Sequence, residues 1–192
     1  MPNPLTKKEL LNLIKLVREA FGCISELKSK NDLARWIQYP KVPSILSESL
    51  VFHLVRDHIL PLPIEDVSTF KFRTKEGDIL FENGDDMIHV EVKATGKSKF
   101  QYLGEKDIKA DYLIWVNFED FFERKGANQV KIITFERIGK YITSPRKITL
   151  SKLKEETKQS GILCIKIDII KYLEKTQSYT QRYQSKTSRG RV

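Results

Sequence analysis

An Asn-Gly pair between two stretches of alternating apolar and polar residues constrains the fold of this chain more than any other feature. The two stretches cover residues 77–82 and 87–94, and Asn83-Gly84 lies between them. An Asn-Gly pair is the strongest local signal for a two-residue hairpin turn, because both residues tolerate positive φ angles. The sequence therefore predicts two adjacent antiparallel strands joined by a tight turn.

The predicted turn decides which side chains share a face of the hairpin. With Asn83-Gly84 as the loop, Asp78 pairs with His89, and Glu91 lies diagonal to Asp78 at a Cα separation of about 7–8 Å. His89, Glu91 and Lys93 alternate along the second strand and point to one side. The opposite side carries only apolar residues, namely Ile79, Ile88, Val90 and Val92. We therefore expect an acid–acid–lysine cluster on one face and core packing on the other.

The cluster of Asp78, Glu91 and Lys93 suits the hydrolysis of phosphodiester bonds. Mg²⁺ prefers oxygen ligands and keeps several waters, so two carboxylates are a sufficient contribution from the protein. The metal can lower the pKa of a bound water, and Lys93 can orient or deprotonate that water or offset charge on the phosphate. A purely structural ion cluster is the alternative interpretation, and it requires neither a metal nor a cleft.

The remaining pattern predicts helices and further strands around the hairpin. Thr6 and Glu9 form a capping box before an amphipathic helix, and Ser44 is expected to cap a second helix that reaches about Leu60. Further segments are predicted as a short helix at 30–38, strands at 67–74, 112–118 and 130–135, a helix at 150–158, and a strand or helix at 162–170. This order predicts an α/β fold in which helices flank a mixed sheet.

Basic residues are concentrated at the end of the chain. Residues 1–123 contain 17 Lys and Arg against 20 Asp and Glu, whereas residues 124–192 contain 17 against 5. Such asymmetry favours a polyanionic partner, although a solvated basic surface is the alternative. The segment 176–192 has four basic and no acidic residues, and it is typical of a solvated basic tail.

The cysteines and the hydropathy of the chain indicate a cytoplasmic protein. Cys23 and Cys164 are too few for a disulfide framework, and we expect both to be buried, reduced thiols. No apolar run is long enough to cross a membrane, and the first residues lack the pattern of a signal peptide.

At Asp78 and Glu91-Val92-Lys93 the chain resembles the PD-(D/E)xK nuclease superfamily, which includes many type II restriction endonucleases. The family pattern is an Asp, a variable spacer, and Asp/Glu-x-Lys on a neighbouring strand. The resemblance implies a restriction-endonuclease-like fold, in which a helix, a three-strand meander, a helix and further strands follow in order. It also implies Asp78 and Glu91 as ligands of one or two Mg²⁺ ions and Lys93 as the catalytic lysine. The Pro that often precedes the family's Asp is replaced here by Gly77.

The resemblance also implies further site residues and a domain layout. Family members often add an acid from the helix before the first strand, and Glu48 fits that position. His89 would support the site by bonding to Asp78. We expect DNA contacts in the segment after the motif, from Lys97, Lys99, Gln101 and Tyr102. One nuclease domain would span 1–175, with helices over 1–60, a catalytic core over 44–135, a basic part over 136–175 and the tail over 176–192.

The resulting expectation is a Mg²⁺-dependent type II restriction endonuclease that acts as a homodimer on double-stranded DNA. A two-fold dimer would place one site on each strand of a palindrome. Two alternatives stay open: a structure-specific nuclease of the same superfamily, such as a junction resolvase or repair enzyme, and a non-catalytic DNA-binding protein.

Overall fold

A computed structural model describes residues 2–96, 100–123, 126–158 and 163–175 of the chain. The helices in this part are α1 (Lys7–Lys30), α2 (Ser44–Arg56), α3 (Glu105–Lys109) and α4 (Leu150–Glu156), with 3₁₀ turns at Asp32–Trp36 and Ile138–Lys140 and a helical segment over 169–175. The strands are β1 (Phe70–Phe72), β2 (Ile79–Asn83), β3 (Asp86–Thr95), β4 (Phe100–Leu103), β5 (Tyr112–Asn117), β6 (Gln129–Glu136), β7 (Arg146–Thr149) and β8 (Leu163–Asp168).

Most of the strands belong to one mixed sheet. Among the described residues this sheet has six strands in the order β1-β2-β3-β5-β6-β8. Strands β3 and β5 run parallel and all other neighbours run antiparallel. The parallel step requires a crossover connection, and the chain makes it through β4 and α3. Strand β4 lies outside the main sheet. It pairs with β7 to form a separate antiparallel pair, which we call the β4–β7 ribbon.

The main sheet separates two hydrophobic cores. The larger core joins α1, α2 and the 169–175 helix to one face of the sheet through residues such as Leu10, Leu50 and Phe81. The smaller core lies on the other face, where Trp115 and Phe135 pack with Leu103 of β4, Ile148 of β7 and Leu153 of α4. The α/β fold with a mixed sheet and flanking helices is therefore confirmed.

The hairpin is confirmed, but its predicted register is wrong by two residues. Asn83 pairs with Asp86, so the loop consists of Gly84 and Asp85 rather than Asn83 and Gly84. Gly84 has a φ of +65°, whereas Asp85 does not adopt positive φ. Gly at the first loop position is the pattern of a type II′ turn, which suits antiparallel strands as well as the predicted type I′ turn does. His89 consequently lies opposite Leu80 and not opposite Asp78.

Several predicted segments are shorter than expected or divided. The strand predicted at 67–74 is limited to Phe70–Phe72, and the helix predicted to reach Leu60 ends at Arg56. Ser44 is the first residue of this helix and not its cap, because Pro43 occupies the cap position. The short helix predicted at 30–38 is the 3₁₀ turn Asp32–Trp36. The last segment divides into strand β8 and the 169–175 helix. Strands β4 and β7 were not predicted, because four-residue strands leave little periodic signal.

The capping box is present as predicted: Thr6 accepts a hydrogen bond from the Glu9 backbone, and Glu9 accepts one from the Thr6 N–H at 2.8 Å. The prediction of buried thiols is wrong, since Cys23 and Cys164 are both free and exposed. In the described ranges, no helix is both long enough and apolar enough to cross a bilayer.

Candidate active site

A cleft of about 720 Å³ opens at the ends of β2 and β3. Its walls come from α2 with the segment before it, from the turn before β2, from the second half of β3 and from β4. The lining includes six of the side chains that sequence reasoning singled out, namely Glu48, Asp78, Glu91, Lys93, Gln101 and Tyr102. The fold thus brings the predicted acid–acid–lysine cluster into a concave site.

Asp78 is positioned by a tight turn that leads into β2. The backbone N–H groups of Arg73 and Thr74 donate to the carbonyls of Asp78 at 2.7 Å and Gly77 at 2.9 Å. One carboxylate oxygen of Asp78 accepts a hydrogen bond from the backbone N–H of Val92 at 2.9 Å. This bond holds the Asp78 carboxylate at the stretch of β3 between Glu91 and Lys93. The carboxylate is therefore part of the cluster and is not turned into the core.

Glu91 is the most perturbed acid of the cluster. Its side chain is buried, with only 4% of the residue exposed. Burial, reinforced by the negative charges of Asp78 and Asp107, raises its pKa to about 8. Its Oε1 atom is buried and has no hydrogen-bond partner among the described residues. A buried carboxylate oxygen without a donor is costly, and a proton or a cation relieves that cost.

Lys93 is held by a carboxylate that sequence reasoning did not assign to the site. Its ammonium lies 2.8 Å from Oδ1 of Asp107 on α3. The second Asp107 oxygen accepts a hydrogen bond from the backbone N–H of Gly104 at 2.7 Å, which anchors this buried aspartate at the start of α3. The ion pair fixes the lysine beside Glu91 in the cleft.

Glu48 lies in the cleft on the buried face of α2 and carries its own basic partner. The residue is 4% exposed, and its Oε2 atom lies 3.1 Å from Nε of Arg73. Arg73 also donates to the Ser44 hydroxyl at 3.2 Å. Burial raises the pKa of Glu48, and the nearby Asp78 carboxylate adds to that rise. Glu48 therefore lies in the same cleft as Asp78 and Glu91.

The residues predicted to contact DNA lie in different environments, and two of them fall outside the described part of the chain. Gln101 donates to the Ala94 carbonyl at 2.5 Å, so its amide braces β4 against the end of β3. Tyr102 is 57% exposed and lines the cleft. Lys97 and Lys99 lie outside the described residues. His89 is half-buried, and its backbone N–H donates to Asp111 at 3.0 Å.

Sequence reasoning missed Asp107 and Arg73. Asp107 lies three residues after Gly104, which is the spacing of an N-terminal helix cap, so a capping signal was available. Its burial and its contact with Lys93 depend on the crossover to β5 and leave no local signal. Arg73 follows a short strand and adopts a positive φ of 53°. No nearby residue pattern predicts this backbone conformation.

The cluster fits a small divalent cation through its donor set. Asp78 and Glu91 offer carboxylate oxygens at one cleft wall, and the orphaned Oε1 atom of Glu91 is the kind of atom that a cation satisfies. In the described part of the chain, no group of three or more His, Cys, Asp or Glu side chains is arranged to hold a metal ion.

Taken together, the cleft presents acids with raised pKa values beside a fixed ammonium group, and an arginine at its rim. Perturbed acids in a cleft are typical of sites that carry out chemistry. Comparisons with protein-family models, with curated proteins and with solved structures gave no match to this chain.

Proposed function

We propose that this protein is a Mg²⁺-dependent DNA endonuclease, of the type II restriction class, that hydrolyses phosphodiester bonds in the cleft. The observation that carries the proposal is the buried, partnerless carboxylate oxygen of Glu91 beside Asp78 and Lys93. A structural ion cluster would satisfy its buried oxygens internally, because an unpaired buried carboxylate costs stability. An orphaned oxygen in a cleft favours a site that takes a cation.

In this proposal the side chains of the cleft divide the work. Asp78 and Glu91 would hold the ion, which when bound supplies polarisation of the phosphate and a lowered pKa for water. Lys93 places its ammonium where negative charge develops on the phosphate. Asp107 holds Lys93 in that place at 2.8 Å.

The connectivity around the cleft supports the same proposal. Helix α2 precedes a three-strand antiparallel meander, β1 to β3, and a crossover through α3 leads to the parallel strand β5. This order agrees with the helix, meander and helix that the nuclease resemblance implies. The restriction-endonuclease-like form of the fold remains part of the proposal.

The test is cleavage of phage DNA by purified protein in Mg²⁺, followed by sequencing of the fragment ends. Discrete ends at a short palindrome would support the restriction class, whereas cleavage of a four-way junction without discrete ends on linear DNA would indicate a structure-specific nuclease. The homodimer that a palindrome requires is checked by light scattering of the protein–DNA complex.

We predict that Asp78→Asn, Glu91→Gln and Lys93→Ala each lower the cleavage rate by at least about 100-fold and leave DNA binding intact. The reason is that each variant removes a charge from the reacting centre but not from the remaining basic surface. Cleavage rates are measured on a labelled plasmid, and binding is measured by a gel shift.

Matched controls come from the same three-strand meander. Glu82→Gln removes a carboxylate from the same hairpin, and Lys71→Ala removes an ammonium from β1, yet neither residue lines the cleft. Both controls should cut at the wild-type rate. Cleavage at the wild-type rate by any of the three cleft variants would remove the proposal.

A further inference from the structure

The β4–β7 ribbon has one face in the smaller core and one face in solvent. Phe100 lies opposite Thr149, and Tyr102 lies opposite Lys147, so these four side chains share one face. The other face contains Leu103 and Ile148, which are buried in the smaller core. The ribbon is therefore anchored on one side and presents aromatic and basic side chains on the other.

The two aromatic residues on the outer face are unusually exposed. Phe100 is 59% exposed and Tyr102 is 57% exposed, and both line the cleft that contains the acid–acid–lysine cluster. Lys147, beside Tyr102, is also exposed. Exposed aromatic and basic side chains on one surface are the combination that binds the bases and phosphates of single strands.

The ribbon is held in a fixed relation to the proposed reacting centre. The Gln101 amide donates to the Ala94 carbonyl, and Ala94 directly follows Lys93 on β3. Because Gln101 lies between the two aromatic residues, this bond fixes them at the mouth of the cleft. A nucleotide on the ribbon would be a near neighbour of the phosphate beside Lys93.

The spacing of the aromatic residues suits unpaired bases. Residues two apart on a strand have Cα atoms about 7 Å apart, whereas bases stacked in a duplex repeat about every 3.4 Å. The wider spacing accommodates successive bases of an extended strand or one base between two rings. An aromatic face can stack only on a base whose own face is open, and paired bases inside a duplex have none.

We propose that the ribbon face formed by Phe100, Tyr102 and Lys147 binds unpaired nucleotides of the substrate strand next to the scissile phosphate. The bases stack on Phe100 and Tyr102, and Lys147 contacts a phosphate. This inference rests on the proposed nuclease function and adds a substrate class to it. The open base comes either from a single-stranded region or from a base extruded from a duplex.

The test measures DNA binding in a chelating buffer, where no hydrolysis occurs. Fluorescence anisotropy compares a single-stranded oligothymidine, a forked duplex and a blunt duplex of equal length. The double variant Phe100→Ala/Tyr102→Ala should bind the single strand at least tenfold more weakly and the blunt duplex less than twofold more weakly. Tyr102→Phe should bind like the wild type, and Lys147→Ala should lower the salt slope for the single strand.

Trp36→Ala is the matched control, because Trp36 is 75% exposed but does not line the cleft. It should bind all three DNA forms like the wild type. Equal losses on single-stranded and blunt DNA, or no loss in the double variant, would overturn the inference. Thermal melts of each variant confirm that the fold is retained.

Further comparisons show where the open base comes from and which of the two proposals a negative result contradicts. Loss on the forked duplex alongside the single strand assigns the base to a single-stranded region. Loss on the single strand and on an added duplex with a central mismatch, but not on the forked duplex, assigns it to extrusion. Binding is measured without hydrolysis, so the two proposals can fail separately. If the protein cleaves no DNA but the double variant still binds the single strand more weakly, only the nuclease proposal is contradicted. If the protein cleaves DNA but the double variant binds the single strand like the wild type, only this inference is contradicted.

Discussion

At the scale of single residues, Glu91 makes the stability of the metal-free protein depend on pH. Its pKa rises from an ordinary 4.5 to about 8 on folding, so folding favours the protonated acid. The associated stability is fully present below pH 4.5 and is lost as the pH rises through about 8. We predict that the melting temperature of the metal-free protein falls over this range and that Glu91→Gln flattens the fall.

The control for this prediction is Glu82→Gln, which changes a carboxylate on the same hairpin and should keep the pH dependence. Addition of Mg²⁺ should raise the melting temperature of the wild type at pH 8 but not that of Glu91→Gln, since a bound cation replaces the proton. Parallel pH profiles for wild type and Glu91→Gln would contradict the assignment of the effect to this residue. Calorimetric scans provide both measurements.

At the scale of elements, replacement of two glycines by alanine should change the stability of the protein in opposite directions. Gly84 has a φ of +65° in the hairpin loop, where an L-side chain is strained. Gly22 lies inside α1, where a Cβ would meet nothing within 4 Å. We predict that Gly84→Ala lowers the free energy of unfolding by about 1 kcal/mol, and that Gly22→Ala raises it by about 1 kcal/mol.

Chemical denaturation of the two variants measures both changes, with each serving as the other's control for a Gly-to-Ala replacement. Changes of the same sign would show that the turn conformation or the helical position is wrong.

The elements that could be predicted are those with a local signal. Alternation identified β3, β5 and β6, and the capping box placed the start of α1. The hairpin register was missed because Asn-Gly is the stronger local turn signal, whereas the structure uses Gly-Asp, which is also an acceptable loop pair. The pairing of Phe100 with Thr149 joins residues far apart in sequence, so no short window contains it.

The candidate site was predictable in part for the same reason. Asp78, Glu91 and Lys93 lie close in sequence around one hairpin, so strand alternation and the predicted turn together grouped them. Glu48 was implied by the nuclease resemblance, which places an acid on the helix before the first strand. Asp107 and Arg73 join the site through tertiary packing, and their roles follow from contacts that depend on the whole sheet.

At the scale of the whole molecule, the charge asymmetry predicts a salt-dependent association with DNA. Residues 176–192 supply four of the basic residues and no acidic ones. We predict that removing this segment makes the plot of log affinity against log salt shallower by about 0.9 for each lost phosphate contact on duplex DNA. Titrations at several salt concentrations measure the slope.

A full-length variant with these four basic residues changed to Gln separates charge from length. It should match the truncated protein in slope, because the lost counterion release is the same. A wild-type slope in both variants would place the polyanion contacts elsewhere on the molecule.

The cleft lies between walls that rest on different cores: α2 packs in the larger core, and the β4–β7 ribbon packs in the smaller one. The width of the cleft opening is therefore set by side-chain packing in two separate cores. A cavity made in the smaller core, for example at Ile148, would loosen only the ribbon wall. Substitutions in the smaller core could accordingly change the width of the cleft, and with it which DNA strands enter, without altering Asp78 and Glu91.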